Sequence, residues 1–340
     1  MRGVSLQFID LQAQRQRMGS VVEDAILKVV RSGQYIMGPE IATLERQLAE
    51  FCGTKHALTV ANGTDALALG LMAFGVKPGQ AIFVPSFTFA ATGEVVVWLG
   101  ATPIFVDCLP DTFNMDPASL EAGIATAKRL GLAPVGVIPV DLFGLPADYD
   151  ALEPICAAHG LWMMADTAQG FGGIYKGRKT GAIGQIASTS FFPAKPLGCY
   201  GDGGALFFDD DALKDVLVSL RVHGQGADKY DNVRVGMNGR MDTIQAAVLI
   251  EKLKLFPGEI EARNLVAQRY SDALEKHCIV PRVPEGLTSV WAQYTIRIGG
   301  GRRDKVAAAL KEGGIPTAIY YVKPMHRQTA YKRFPVANNS

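Results

Sequence analysis

One alternation narrows the fold more than anything else in the chain. From Ala57 to Phe208, short apolar runs of strand length recur at Ala57–Ala61, Ala81–Val84, Thr102–Asp107, Pro134–Val140, Leu161–Ala165, Ile186–Ser190 and Gly204–Phe208. Helix-period segments separate most of them, at Ala66–Leu71, Ala90–Leu99, Pro117–Leu130 and Tyr149–His159. Strand and helix in repetition predict a mostly parallel, doubly wound α/β sheet with helices on both faces. In such sheets ligands sit beyond the carboxyl ends of the strands. Thr64, Phe89, Asp141, Asp166 and Ser190 fall at or just past those ends, and Lys195 follows shortly after Ser190.

The flanking segments complete the plan. Residues 1–20 read as an arm of mixed polarity, followed by amphipathic helices at Ser20–Ser32 and Glu40–Phe51. The loop between these helices, Gly33–Pro39, sets Tyr35 and Ile36 among glycines and is a candidate pocket wall. A long helix starts at Thr243, with a kink expected at Pro257, and runs on to His277. The large domain is expected to span residues 1–255. A small α+β domain is expected over 256–340, with strands at Trp291–Ile298 and Thr317–Tyr321 around a helix at Arg303–Glu312. The last residues, Val336–Ser340, resemble no domain end, so this domain is expected to be incomplete.

Composition removes several function classes. The 340 residues carry a formal charge of +1, without the basic excess that a nucleic-acid partner needs. Five cysteines and five histidines are dispersed, which suits reduced thiols in a cytoplasmic protein and gives no zinc spacing. No apolar run is long enough to cross a bilayer. Gly201, Gly203 and Gly204 follow a loop rather than a strand, so they do not fit a dinucleotide fingerprint.

The chemistry centres on Lys195, in the neutral run Ser188–Gly198. Taken alone it reads first as a lysine snorkelling from a core edge. In a site with few charges it would lose its proton more easily, and a neutral amine is the nucleophile for a Schiff base. Asn62-Gly63-Thr64-Asp65 joins a strand to a helix start, where free N–H groups and the helix dipole favour an anion. Asp65 there is also an ordinary cap. Pyridoxal 5′-phosphate (PLP) would use all of these groups. Its aldehyde would take Lys195 and its phosphate Gly63, Thr64 and Ser190. Asp166 would keep its ring nitrogen protonated, Gln169 would bond its ring oxygen and Phe89 would stack on its ring.

The order of motifs resembles the fold-type I aminotransferases, and within them the DegT/DnrJ/EryC1/StrS sugar aminotransferases. The matching stretches are Gly33–Glu40, Ala61–Leu67, Pro85–Thr92, Asp166–Gln169, Ser190–Gly198 and Gly236–Asp242. Pro196 departs from the family, which usually has asparagine after the lysine; altered loop geometry is expected there. The resemblance implies Lys195 as both Schiff-base residue and proton carrier. It implies Asn238 reaching the phosphate of a neighbouring subunit, hence a homodimer with shared sites. Arg240 would hold a carboxylate or, equally, a structural ion pair. Tyr320, Tyr321 and His326 are candidates for the sugar pocket, as is Tyr35.

The implied activity moves an amino group from L-glutamate to a nucleotide-linked keto sugar, with pyridoxamine phosphate as the intermediate cofactor form, in cell-surface polysaccharide or antibiotic-sugar synthesis. The stretch Arg221–Gly226, with Lys229-Tyr230 and Asn238–Gln245, looks most like enzymes acting on UDP-linked 3-keto hexuronic acids. A 4-keto-6-deoxy sugar and a non-catalytic regulatory relative stay open. A related dehydratase has histidine at the lysine position, and Lys195 argues against it.

Overall fold

A computed structural model describes residues 6–228 and 230–337. Three helices, α1 (Leu11–Met18), α2 (Val21–Ser32) and α3 (Pro39–Cys52), lead into β1 (His56–Val60). The strand–helix alternation then runs α4 (Gly63–Ala73), β2 (Gln80–Pro85), α5 (Ala91–Trp98), β3 (Thr102–Val106), α6 (Pro117–Arg129), β4 (Ala133–Val137), α7 (Tyr149–His159) and β5 (Trp162–Asp166). Two short strands, β6 (Ile174–Tyr175) and β7 (Arg178–Lys179), precede β8 (Ile186–Ser190), β9 (Gly204–Phe208) and α8 (Asp211–Arg221). The chain ends with α9 (Thr243–Leu274), β10 (Leu287–Thr288) and α10 (Arg303–Glu312).

Seven strands form one sheet in the order β1-β9-β8-β5-β4-β2-β3. Neighbours pair in parallel except β9, which is antiparallel to both β1 and β8. The sheet is therefore the mostly parallel α/β sheet expected, with each of the seven expected strands present. Burial on both faces explains the continuous apolar runs. Ala81 and Phe83 face a core built with α3, α6 and α9, while Ile82 and Val84 face a second core built with α4, α5 and α8. The period-2 alternation of strand side chains produces this split.

The antiparallel strand shapes the site. Ser190 pairs with Gly204, so residues 191–203 form a loop tied at both ends to the sheet rim, and Lys195 lies in it. The carboxyl ends of β1, β2, β4, β5 and β8 open on that same rim.

Beyond the sheet, several local expectations give way. The arm contains the helix α1, capped by Asp10 Oδ1 on the Ala13 N–H at 2.9 Å. α9 carries Pro257 inside one helix, Thr243–Leu274, close to the extent expected for it. Residues 291–298 and 317–321 are not strands. A strand needs a partner for its backbone groups, and Leu287–Thr288 takes the available edge of β6 instead. Trp291 and Tyr294 bond to α9 through side chains, Nε1–H to Asn264 Oδ1 and hydroxyl to Ser271 Oγ. Among the described residues no helix is long and apolar enough to cross a membrane, and no cluster of metal-ligating side chains forms.

Candidate active site

A cleft of about 990 Å³ opens at the carboxyl rim of the sheet. Of the predicted residues, Gly63, Thr64, Phe89, Asp166, Gln169, Ser190, Lys195, Tyr320 and Tyr321 all line it. Side chains far apart in the sequence meet here because β1, β2, β5 and β8 all end at this edge.

The floor is the start of α4. Asn62 Oδ1 accepts from the Asp65 N–H at 2.8 Å, and the Asn62 carbonyl accepts from Ala66. Gly63 and Thr64 are left with N–H groups that have no intrahelical acceptor. A Cβ at Gly63 would stand 2.6 Å from the Ser190 Cβ, so only glycine lets the helix start approach β8 this closely. Two backbone donors, a dipole and the Thr64 and Ser190 hydroxyls thus converge, a cradle suited to phosphate.

Opposite the floor, Asp166 ends β5 and is buried. Its Oδ2 accepts from Thr92 Oγ at 2.9 Å and its Oδ1 from the Ala168 N–H at 3.1 Å. Because Thr92 gives its proton to Asp166, the 3.2 Å contact between Thr88 and Thr92 has Thr88 as donor. Burial raises the Asp166 pKa; the Ala168 N–H, the Thr92 hydroxyl and the Lys195 ammonium oppose that. Burial lowers the Lys195 pKa, with Asp166 opposing. Asp166 makes no ion pair within contact distance among the described residues. A buried carboxylate short of positive charge fits a protonated ring nitrogen.

Gln169 is already engaged. Its Oε1 accepts from the Phe143 N–H at 2.9 Å and its Nε2 donates to the Tyr321 hydroxyl at 3.1 Å. One Nε2 hydrogen stays available for a ligand oxygen. Burial pushes the Tyr321 phenol up to about 12, so it is protonated at neutral pH. Phe89 lines the cleft and is 57% exposed, an apolar ring face open to a ligand. The cradle, the unbalanced carboxylate, the lysine and the open ring face fit PLP.

The cleft also contains Thr88, Thr92, Glu94, Trp98 and Gln293, to which sequence reading assigned no role. Thr88 and Thr92 had a weaker signal: both lie at the junction of β2 with α5, just past a strand end. Gln293 had none, because its position depends on the irregular path of the C-terminal segment.

Four predicted residues lie elsewhere: Tyr35, Asn238, Arg240 and His326 do not line the cleft. Three of them form a second cluster. The Tyr35 carbonyl accepts from the Thr243 N–H at 2.9 Å, Ile36 bridges to Asp242, and Thr243 Oγ accepts from the Gly38 N–H at 3.0 Å. The segment passes the end of β1, where the Ala61 N–H meets the Gly239 carbonyl at 2.9 Å. Arg240 Nε is buried without a hydrogen-bond partner, as is His326 Nδ1. Lys229, part of the quoted glycine-rich stretch, lies outside the described residues.

Comparison with known proteins gives this geometry a context. Residues 17–339 match the DegT/DnrJ/EryC1/StrS aminotransferase family. The chain is 44% identical over 326 residues to the UDP-2-acetamido-2-deoxy-3-oxo-D-glucuronate aminotransferase of Pseudomonas aeruginosa, covering 96% of this chain and 88% of that protein. It is similar to the crystal structure of a DegT DnrJ EryC1 StrS aminotransferase from Brucella abortus, with a TM-score of 0.96 and 52% identity over 98% of this chain and 90% of the other. It is also similar to NtdA from Bacillus subtilis, solved with bound cofactor PMP, with a TM-score of 0.88 and 27% identity over 96% and 75% of the two chains.

Proposed function

The chain belongs to the DegT/DnrJ/EryC1/StrS aminotransferase family of PLP-dependent enzymes, and from that premise we propose that it carries an amino group from L-glutamate to C3 of a UDP-2-acetamido-3-keto-hexuronic acid in the cytoplasm. The convergence of Lys195, Asp166 and the Gly63–Ser190 cradle in one cleft carries the reading of the chemistry. The Pseudomonas aeruginosa relative supports the sugar.

Bound, PLP supplies an aldehyde and an electron-accepting ring. Lys195 would engage the aldehyde, helped by burial that favours its neutral amine. Asp166, steadied by Thr92 and Ala168, would hold the ring nitrogen as a cation. Gln169 would orient the ring oxygen, Phe89 would cover one ring face, and Gly63, Thr64 and Ser190 would hold the phosphate. Once its amine is free, Lys195 would take the proton from the α-carbon of glutamate. In the second half of the reaction it would return a proton at C3 of the sugar. Tyr320 and Tyr321 would border the sugar.

The second cluster suits a homodimer with shared sites. Tyr35, Ile36 and Met37 are 49%, 49% and 44% exposed, and Tyr35 and Ile36 pair with the backbone at Asp242–Thr243, just after Asn238 and Arg240. Docked on a second copy, this face would bring Asn238 to the partner's phosphate and Arg240 to a substrate carboxylate. The unpartnered buried Arg240 Nε favours that role over a structural ion pair.

Glutamate and a panel of UDP- and dTDP-linked 3-keto and 4-keto sugars test the substrate directly. The 3-keto uronate is expected to be aminated in preference to the rest. Preferred turnover of a 4-keto-6-deoxy sugar would overturn the uronate reading while leaving the transaminase intact.

A further inference from the structure

Residues 191–203, which carry Lys195, have little regular structure of their own. The Lys195 N–H bonds back to the Phe192 carbonyl at 2.8 Å, and Cys199 bonds to the Phe191 carbonyl through its N–H at 2.8 Å. Pro196, directly after the lysine, has no N–H to give. Gly198 turns so tightly that a Cβ there would stand 2.4 Å from the Pro193 carbonyl oxygen. Two further restraints come from α9.

Gln245 and Lys252 are seven apart on α9, so they share one helix face. Gln245 Oε1 accepts from the Tyr200 N–H at 2.9 Å, and its Nε2 reaches the Tyr200 carbonyl at 3.4 Å. Lys252 is 3% exposed. Its Nζ donates to the Gly198 carbonyl at 2.5 Å and lies 4.8 Å from the centre of the Tyr200 ring. It forms no ion pair among the described residues. A buried ammonium without a carboxylate is costly to keep, and apolar packing alone would be met more cheaply by Met or Leu. Its burial lowers its pKa, with Cys199 and Glu259 opposing. Lys252 does not line the cleft, so its amine is not placed to react there.

We propose that Lys252, with Gln245, is a positioning clamp that holds the loop bearing Lys195 against α9 and so sets the reactive amine opposite Asp166. The clamp acts on the backbone at Gly198 and Tyr200, downstream of the residue it positions. Without the charge-assisted bond the loop keeps its sheet anchors at Ser190 and Gly204 and the Gln245 contact at Tyr200, but loses its hold at Gly198. This inference rests on Lys195 being the reactive residue.

Hydrogen–deuterium exchange on the purified holoenzyme, compared with kinetics, tests it. In Lys252→Met, amides of residues 191–203 should exchange roughly tenfold faster, the scale expected for one charged hydrogen bond, while those of β2–β5 keep their rates. kcat should fall roughly tenfold with the KM for glutamate unchanged, and Lys252→Arg should recover part of both effects. A folded Lys252→Met with an unchanged loop, or with exchange accelerated equally across the sheet, overturns the proposal. Should Lys252→Met fail to fold, Gln245→Leu takes its place: faster exchange confined to residues 198–203 supports the clamp, and no change there overturns it. Failure of the parent reading looks different, because Lys195→Ala would then retain turnover whatever the loop does.

Discussion

The cleft group and the Tyr35–Arg240 cluster were both marked by sequence, but the fold treats them differently. Asp166 and Ser190 end strands of the central sheet, and Thr64 opens the helix that follows one. Asp166 is held by two donors, and Gln169 is held on both sides. Tyr35 and Asn238 lie instead on loops at the surface, and Arg240 keeps a buried nitrogen with nothing to bond. On the proposed reading, one chain fixes the groups assigned to chemistry and leaves open those assigned to substrate carboxylate and partner. Bond-making groups need fixed geometry, which a sheet rim supplies. Groups that select a substrate can come from elements that meet only on assembly.

The largest expected effect isolates the first region. Lys195→Ala should lose turnover by more than the roughly 10²–10⁴-fold assigned to a proton carrier, since nucleophile and base go together. Its melting temperature should stay near wild type, because removing a poorly solvated amine opens little of the core. Asp166→Asn comes next, with kcat/KM down about 10²–10³-fold, on the scale of breaking a buried charge pair. A fall of less than threefold would show that the carboxylate is not opposite a cation.

Asp141 sharpens the claim that rim groups carry a burial cost. It is fully buried, its Oδ1 accepts from Tyr149 at 2.7 Å and from the Ala147 N–H at 2.9 Å, and its Oδ2 is unpartnered. Burial pushes its pKa up to about 7, with the Tyr149 and Ala147 bonds opposing and Asp166 adding to the rise. A carboxyl raised in the fold holds its proton more firmly there than when unfolded. That stabilisation is full below about pH 4 and is lost as pH rises through about 7, a change of up to about 4 kcal/mol. Asparagine keeps the accepting oxygen and cannot ionise. The melting temperature of Asp141→Asn relative to wild type should therefore climb from about pH 5 to about pH 8; a constant difference would place the carboxyl near its ordinary pKa.

The second region yields smaller single effects and a sharper test of sharing. Arg240→Ala should raise the KM for a carboxylate-bearing substrate roughly tenfold with little change in kcat. Mixing Lys195→Ala with Asn238→Ala subunits under exchange should raise activity above that of Asn238→Ala alone, because a mixed dimer holds one intact site. Mixtures that show no gain would contradict the sharing of Asn238 across the dimer.

The sheet and its rim were readable because each strand is buried on both faces and bounded by turn residues, and because the functional groups sit where such sheets put ligands. The placement of Lys195 and Asp166 at the cleft followed from that logic. The strands expected at 291–298 and 317–321 did not form: their apolar content signals burial, but strand formation depends on an available edge, which no local pattern reveals. Sequence alone could not place Lys252, because helical spacing gives its face but not the loop that face meets.

The central claim is that Lys195 is the lysine joined to PLP. Borohydride reduction of the protein purified with PLP, followed by peptide mapping, tests it most directly, since Lys179 and Lys252 are also amines whose pKa burial lowers. The account predicts the phosphopyridoxyl label on Lys195 alone; label on Lys179 or Lys252, with Lys195 unmodified, would contradict it.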